Sequence, residues 1–323
     1  MNITVLAHLA PPSHCAGAEM MLLSMLRPLA ERGHKIRWQL SRPTPDAAPY
    51  DLHGITVVPK QPDHQGLVDQ IVWADLVIAH LENMPNATTL SRHLGRPFIH
   101  VMHNDHPISQ AWSVRDAAAI VVNSQWMADS FGNPDNGLIV RPPVVAADYL
   151  TDPGRKVTLV NLNENKGAHL FERLARRMSD VQFLGVVGAY GRQVIPNLPN
   201  VEIREHSTDM RSIYSDTRLL LMPSEYESWG RVGVEAMWSG IPVIAAPTPG
   251  LLESLGSAGT FCDRNDLDGW VFEIRRLLRP ENWHPASRAA SGRALELDMT
   301  DDLGRWVSVV ESIGASAEGR CAA

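Results

Sequence analysis

Short apolar runs alternate with amphipathic stretches along most of the chain. The first run, ITVLAHL at residues 3–9, precedes a stretch of helical spacing at 20–33 and a second run at 34–40. Further apolar runs stand at residues 75–81, 97–103 and 118–124. Buried strands that are separated by helical segments are typical of crossover connections, and such connections favour a parallel sheet.

The same alternation restarts after a proline-rich stretch at residues 141–155. Further strand-like runs follow at residues 157–163, 181–188, 219–224 and 242–246. Helical patterns separate them at 164–180 and from about Arg231 onward. The proline-rich stretch is therefore the predicted hinge between two domains.

We predict an α/β fold of two Rossmann-like, doubly wound domains. The first covers residues 1–145 and the second covers 146–299. Residues 300–323 follow as a closing helix and tail, because apolar residues recur at helical spacing in this segment. Ligands of such sheets bind beyond the carboxyl ends of the strands, so we expect the functional site in a central cleft that the two domains face.

Composition narrows the class of protein. Of 323 residues, 44% are hydrophobic and 20% are charged, which is a soluble globular profile. The net charge is −7 and neither half is basic, so we expect no nucleic-acid partner. Three cysteines stand far apart, which favours a reducing cytoplasm and predicts neither a disulfide framework nor a metal site. We expect no signal peptide and no transmembrane segment, and the oligomeric state stays open.

The stretch PSEYESWGRVGVEAMWSG, residues 223–240, carries the candidate chemistry. Glu227 falls in a predicted turn beyond a buried strand, and Gly230 lets the backbone approach a ligand closely. Glu235 falls about one turn into the helix that follows, whose first N–H groups form an anion site. Two carboxylates beside such a site suit the hydroxyls of a nucleotide sugar. The alternative is that acidic residues simply favour helix N-termini.

The surrounding residues extend this pattern. Pro223, Ser224, Glu227, Gly230, Glu235, Gly240 and Pro242, followed by Gly250 and Glu253, resemble the E-x7-E signature of retaining glycosyltransferases of family 4. That family has the two-domain GT-B fold. Segments at 16–36, 100–107, 121–131 and 163–174 also resemble the family, so the similarity covers about residues 1–275.

The resemblance implies a metal-independent transfer of a hexose from a nucleoside-diphosphate sugar to an unidentified acceptor. Lys166 would contact the diphosphate, Glu235 the ribose and Glu227 the transferred sugar, while His103 would lie over the sugar near the reacting carbon. Gly17 would approach the diphosphate. Backbone N–H groups near the helix start would bind sugar and phosphate, and the residues concerned are Trp229, Gly230, Arg231 and Val232. No cofactor is implied beyond the donor, of UDP or GDP type.

Asn161 departs from the family pattern. The family has an arginine there as a second phosphate ligand, five residues before Lys166. Asn161 can donate a hydrogen bond but brings no charge. Either Arg231 or another cation compensates, or the donor binds more weakly.

Two other functions stay open. A nucleotide-sugar epimerase can use the same fold, and Asn161 is the feature that favours a catalytically degenerate binding protein.

The tetrapeptide HNDH at 103–106 has side chains that can bind a metal ion. No further cluster of metal-ligating residues accompanies it elsewhere in the sequence, so we expect no metal site.

Overall fold

The computed structural model describes residues 1–42, 48–59, 62–106, 109 and 117–321, with side chains described through residue 316. Contacts between residues divide the chain into two compact units. Unit 1 comprises Met1–Pro143 and Met299–Ala323, and unit 2 comprises Val144–Asp298. The division falls two residues before the boundary expected from the sequence. The C-terminal segment, expected as a closing helix and tail, belongs to unit 1.

Unit 1 contains a sheet of eight strands. The strands are β1 (Asn2–Ala7), β2 (Lys35–Leu40), β3 (Tyr50–Leu52), β4 (Ile55–Val58), β5 (Leu76–His80), β6 (Phe98–Met102), β7 (Ala119–Val122) and β8 (Gly137–Ile139). Their order is β3-β4-β2-β1-β5-β6-β7-β8, and all neighbours are parallel except β3 on β4. The helices of this unit are α1 (Gly17–Glu31), α2 (His64–Trp73), α3 (Met84–His93) and α4 (Gln125–Ser130), and α12 (Thr300–Cys321) closes it.

Unit 2 contains a fully parallel sheet of six strands. The strands are β9 (Lys156–Val160), β10 (Phe183–Val186), β11 (Val201–Arg204), β12 (Thr217–Met222), β13 (Val243–Ala245) and β14 (Thr260–Phe261). The helices are α5 (Ala146–Tyr149), α6 (Ala168–Arg177), α7 (Met210–Tyr214), α8 (Arg231–Trp238), α9 (Pro249–Leu255), α10 (Leu267–Leu278) and α11 (Pro280–Glu296).

The strand order explains where ligands can bind. Unit 2 has the order β11-β10-β9-β12-β13-β14, which is the Rossmann order with its switch point between β9 and β12. In unit 1 the corresponding reversal lies between β1 and β5. The sequence prediction of two doubly wound α/β units is therefore confirmed.

Each unit has its own buried core. In unit 1, apolar residues of α1 such as Met25 and Leu29 are fully buried with Ile3 and Val5 of β1. In unit 2, Phe171 of α6 packs edge-on against Phe183 of β10, with ring centroids 5.5 Å apart. Within the described ranges, we find no helix with the length and hydropathy needed to cross a bilayer.

Candidate functional site

Two loops lie side by side at the switch point of unit 2. The loop after β9 carries Asn161 and Lys166, and the loop after β12 carries Glu227 and leads into α8. The backbone N–H of Glu225 in the second loop donates a hydrogen bond of 2.8 Å to the carbonyl of Asn165 in the first. The carboxyl edge of the sheet therefore brings both predicted donor-binding segments together.

Gly167 packs the first loop against the second. Its φ is 89°, and a Cβ at this position would lie 2.8 Å from the carbonyl oxygen of Pro223. Before it, residues Glu164–Lys166 form one 3-10 turn, in which Asn163 Oδ1 accepts a hydrogen bond from the N–H of Lys166 at 2.9 Å. The lysine–glycine pair of the sequence thus fixes the backbone on which the Lys166 side chain stands.

Lys166 and Glu227 form an ion pair across the two loops. Lys166 Nζ donates a short hydrogen bond to Glu227 Oε1, and Ser224 Oγ donates to the same oxygen at 2.9 Å. The two side chains are 20% and 15% exposed. Burial alone would lower the pKa of Lys166, but Glu227 outweighs it and the net pKa is raised. The ammonium is thus a fixed positive charge that keeps part of its surface accessible.

Glu235 lies in a buried network rather than free in the site. Arg231 Nε donates to Glu235 Oε1 at 2.7 Å, and the Tyr214 hydroxyl donates to Oε2 at 2.9 Å. Arg231 also donates to the Tyr149 hydroxyl at 2.8 Å. Burial and Glu235 raise the pKa of Tyr149 to about 12 and that of Tyr214 well above 10. Each carboxylate oxygen keeps acceptor capacity, since a carboxylate can accept about four hydrogen bonds.

Arg231 was one possible replacement for the missing family arginine. Its Nε donates to Glu235 and its Nη2 to the Tyr149 hydroxyl, while Nη1 has no hydrogen-bond partner among the described residues, and the residue is 8% exposed. The phosphate role of Arg231 therefore stays a prediction.

Asn161 itself is buried with a φ of 70°, and its Oδ1 accepts from Gln193 at 3.2 Å. A Cβ at Gly188 would lie 2.0 Å from that oxygen. Asn161 therefore contributes tight packing here and no charge.

At the start of α8, the groups that a ligand could contact belong to the backbone rather than to side chains. Gly230 has a φ of 82°, and a Cβ there would lie 2.4 Å from Leu251 Cδ2. Trp229 as a whole is only 2% exposed, so its indole packs inside the unit. Val232 is half-buried against the core. The first N–H groups of the helix have no intrahelical acceptors, which leaves them available to an anion.

Sequence reasoning missed several residues of this site. Arg264 joins the two loops, donating to the carbonyls of Pro223 at 3.0 Å and Glu164 at 2.8 Å. Tyr149 and Tyr214 hold the Arg231–Glu235 pair from other elements. These contacts join positions 21 to 100 residues apart, and no local pattern in the sequence signals them.

Gly17 and His103 lie in unit 1. Gly17 is the first residue of α1, and a Cβ there would meet no atom within 4 Å. His103 follows β6 and packs edge-on against His80, with ring centroids 4.9 Å apart. Burial lowers the pKa of His103 to about 4, so its imidazole is neutral. Pro107, at the end of the predicted histidine segment, lies outside the described residues.

A second group of titratable residues lies at the switch point of unit 1. His8 follows β1, His14 lies in the next loop, and Glu19 belongs to the first turn of α1. His8 Nε2 lies 3.0 Å from Glu19 Oε1, and His14 Nε2 lies 3.8 Å from Glu19 Oε2. Glu19 falls on the apolar face of α1, three and four residues before Leu22 and Leu23. That placement is the signal that could have revealed it from the sequence.

Residues 156–280, all within unit 2, match the family model described as Glycosyl transferases group 1. Curated relatives match shorter segments. The O-antigen chain mannosyltransferase B of Escherichia coli is 33% identical over 81 residues, which cover 25% of this chain and 21% of that protein. The D-inositol 3-phosphate glycosyltransferase of Mycobacterium marinum is 39% identical over 74 residues, which cover 22% and 16%. The chain thus spans about a fifth of the length of these relatives.

Solved structures match along nearly the whole chain. Anabaena HepE in complex with UDP-glucose has a TM-score of 0.79 at 18% identity, covering 97% of this chain and 100% of that one. The sucrose-phosphate synthase of Thermosynechococcus elongatus has a TM-score of 0.81 at 13% identity, covering 98% and 100%. The chain has the GT-B fold. At these identities the likeness concerns the fold alone.

Proposed function

We propose that the protein is a glycosyltransferase that moves a sugar from a nucleoside-diphosphate sugar to an acceptor hydroxyl. The observation that carries the proposal is the Lys166–Glu227 pair beside the start of α8, at the switch point of unit 2. This region lies inside the segment that matches the Glycosyl transferases group 1 model. The proposal is also supported by curated relatives that are named glycosyltransferases.

The fixed charges of unit 2 suit departure of the nucleoside diphosphate. As the bond between the anomeric carbon and the diphosphate breaks, negative charge develops on phosphate oxygens. The Lys166 ammonium and the N–H groups at the start of α8 stabilise that charge without reorganising. We propose on this ground that the transfer step needs no metal ion at the diphosphate, and that UDP or GDP is the leaving group.

Two carboxylates have separate roles in this scheme. Glu227 accepts hydrogen bonds from hydroxyls of the transferred sugar through the oxygen that Lys166 and Ser224 leave free. Glu235 accepts from ribose hydroxyls while Arg231 holds its orientation. From unit 1, we propose that backbone at Gly17 approaches the diphosphate and that neutral His103 contacts the sugar. We propose retention of the anomeric configuration from the family resemblance. We propose a cytoplasmic location because the three cysteines stand far apart in the sequence.

The test is a nucleoside-diphosphate release assay with UDP- and GDP-linked sugars and a panel of acceptor alcohols. We expect one donor to be consumed by the wild type and turnover to be lost in Lys166→Ala, with the melting temperature nearly unchanged. The control is Arg176→Ala, which removes an exposed cation on the neighbouring helix α6 and should leave turnover intact. Normal turnover by Lys166→Ala would refute the phosphate role.

The same assay separates the other two functions. An epimerase would convert the donor to its epimer without any acceptor, which chromatography of the nucleotide sugars detects. A catalytically degenerate binding protein would bind the donor and release no diphosphate with any acceptor. Either result would overturn the proposed transfer.

A further inference from the structure

The charge of Glu19 is enclosed in unit 1. The residue is 1% exposed, and its two carboxylate oxygens face the side chains of His8 and His14. A buried anion requires a matching cation, because an unpaired charge in a protein interior is costly.

The neighbouring side chains that face Glu19 are imidazoles. His8 and His14 approach its two oxygens from the end of β1 and from the following loop. Beyond them, His80 stacks at 5.1 Å from the His8 ring and His103 lies against His80.

The side chains of His8, His14 and Glu19 have a geometry that fits a metal ion. One ligand atom from each of His8, His14 and Glu19 can be chosen so that all lie within 4.8 Å of one another. A tetrahedral zinc site places ligand atoms roughly 3.4 Å apart. His8 Nε2 lies 3.0 Å from one oxygen of Glu19 and His14 Nε2 lies 3.8 Å from the other, so each imidazole is near that distance from the carboxylate. Two imidazoles with one carboxylate are a ligand set used by zinc sites that keep a fourth, open position.

We propose that His8, His14 and Glu19 bind a divalent transition-metal ion of the zinc type, with water in the fourth position. The ion would join the end of β1, the loop after it and the first turn of α1, and so fix the backbone that leads to Gly17. This group lies in unit 1, and the inference does not rest on the proposed function.

The experiment is a calorimetric titration of chelator-treated, full-length protein with Zn²⁺. We expect one ion per chain in the wild type and a rise in melting temperature, since binding to the native state stabilises it by mass action. His14→Ala and Glu19→Gln should weaken Zn²⁺ binding at least about tenfold. The His14 side chain is 15% exposed against 1% for Glu19, so that variant keeps the test valid if the buried Glu19→Gln fails to fold.

A similar pair on the surface gives the control. His169 Nε2 lies 3.4 Å from Glu164 Oε1, but both side chains are more than half exposed. His169→Ala and Glu164→Gln should bind Zn²⁺ as the wild type does. Replacing Zn²⁺ with Co²⁺ should give the visible absorption of a tetrahedral site in the wild type and not in His14→Ala. Absence of Zn²⁺ binding, or equal affinity in the wild type and His14→Ala, would overturn the proposal.

Discussion

At the scale of single residues, the ion pair of Arg231 and Glu235 differs from an ordinary helical pair. Both side chains are at most 8% exposed, so removing one partner leaves the other charged and buried. We predict that Glu235→Ala costs about 3–5 kcal/mol of unfolding free energy, measured by urea titration. Weaker donor binding by Glu235→Ala is therefore interpreted only together with the unfolding free energy of the same variant.

The matched control is the exposed pair of Glu172 and Arg176 on α6, which has the same four-residue spacing. Glu172→Ala should cost no more than about 0.5 kcal/mol, because water screens exposed pairs. Equal costs for Glu172→Ala and Glu235→Ala would contradict the buried-pair account. The double variant Arg231→Met with Glu235→Ala should recover part of the loss, since no buried charge is then left unpaired.

His100 predicts how the stability of unit 1 depends on pH. It is 1% exposed in β6, and burial, with a smaller effect of His103, lowers its pKa from 6.5 to about 3. Between these values the unfolded chain binds more protons than the folded one, so stability falls as the pH falls below about 6.5. The effect of one such histidine approaches about 1.4 kcal/mol per pH unit.

Urea titrations between pH 6.5 and 4.5 measure this dependence. His100→Gln should show a shallower loss of stability than the wild type on acidification, because glutamine does not titrate. His93→Gln, at an exposed position on α3, is the matched control. Identical slopes for His100→Gln and the wild type would show that His100 does not titrate between the folded and unfolded states.

At the scale of elements, a glycine on α9 holds the turn that carries Glu227. A Cβ at Gly250 would lie 2.3 Å from the carbonyl oxygen of Glu227 and 2.5 Å from the carbonyl carbon of Ser228. Both contacts are to backbone, which cannot rotate away. We predict that Gly250→Ala costs about 1–3 kcal/mol in urea titration and displaces the turn, with weaker nucleotide binding.

Gly292 on α11 is the control for that substitution. A Cβ there would meet no atom within 4 Å, so Gly292→Ala should raise stability by about 1 kcal/mol through helix propensity. A neutral Gly250→Ala would mean that α9 and the Glu227 turn can separate without cost, contrary to the packing described.

Strands and helices with a clear hydrophobic periodicity could be predicted from the sequence. The other elements form because of tertiary packing, which the sequence pattern does not reveal. The run at 75–81 predicted β5, and the segment from Arg231 predicted α8 at its first residue. The hairpin of β3 and β4 was not predicted. Its strands have three and four residues, and its turn uses His53 and Gly54, both at positive φ, in place of the usual Asn-Gly.

The candidate site shows the same division. Glu227 and Glu235 were singled out by the E-x7-E motif and Lys166 by the separate lysine–glycine segment, and the structure brings Lys166 and Glu227 into contact. Tyr214 and Arg264 could not be predicted, since their partners are distant in the sequence and are set by the fold. Glu19 could have been noticed on the apolar face of α1, but its pairing with His8 and His14 could not be predicted. That Arg231 replaces a phosphate-binding arginine stays a prediction, and the four-residue helical spacing also pairs it with Glu235.

At the scale of the whole molecule, the C-terminal helix completes unit 1. Trp306 on α12 is fully buried in the core of unit 1, and its Nε1 donates to the carbonyl of Met25 at 2.9 Å. We predict that Trp306→Ala costs about 3–5 kcal/mol. Hydrogen exchange measured by mass spectrometry should rise for β1 and stay unchanged for β12, because exchange reports local and sub-global opening.

Phe272 gives the contrast, since its side chain is 64% exposed on α10. Phe272→Ala should change stability by no more than about 0.5 kcal/mol. Faster exchange of β12 in Trp306→Ala would contradict the division of the chain into two separately packed units.

The central claim is that unit 2 binds a nucleoside diphosphate at Lys166. Calorimetric titration of the wild type, Lys166→Ala and Arg176→Ala with UDP and with GDP tests it most directly. We predict that one of the two nucleotides binds the wild type and Arg176→Ala alike, and binds Lys166→Ala at least about tenfold more weakly, since charge-assisted contacts are worth about 1.5–3 kcal/mol. Equal affinity for Lys166→Ala, or no binding of either nucleotide, would contradict the account.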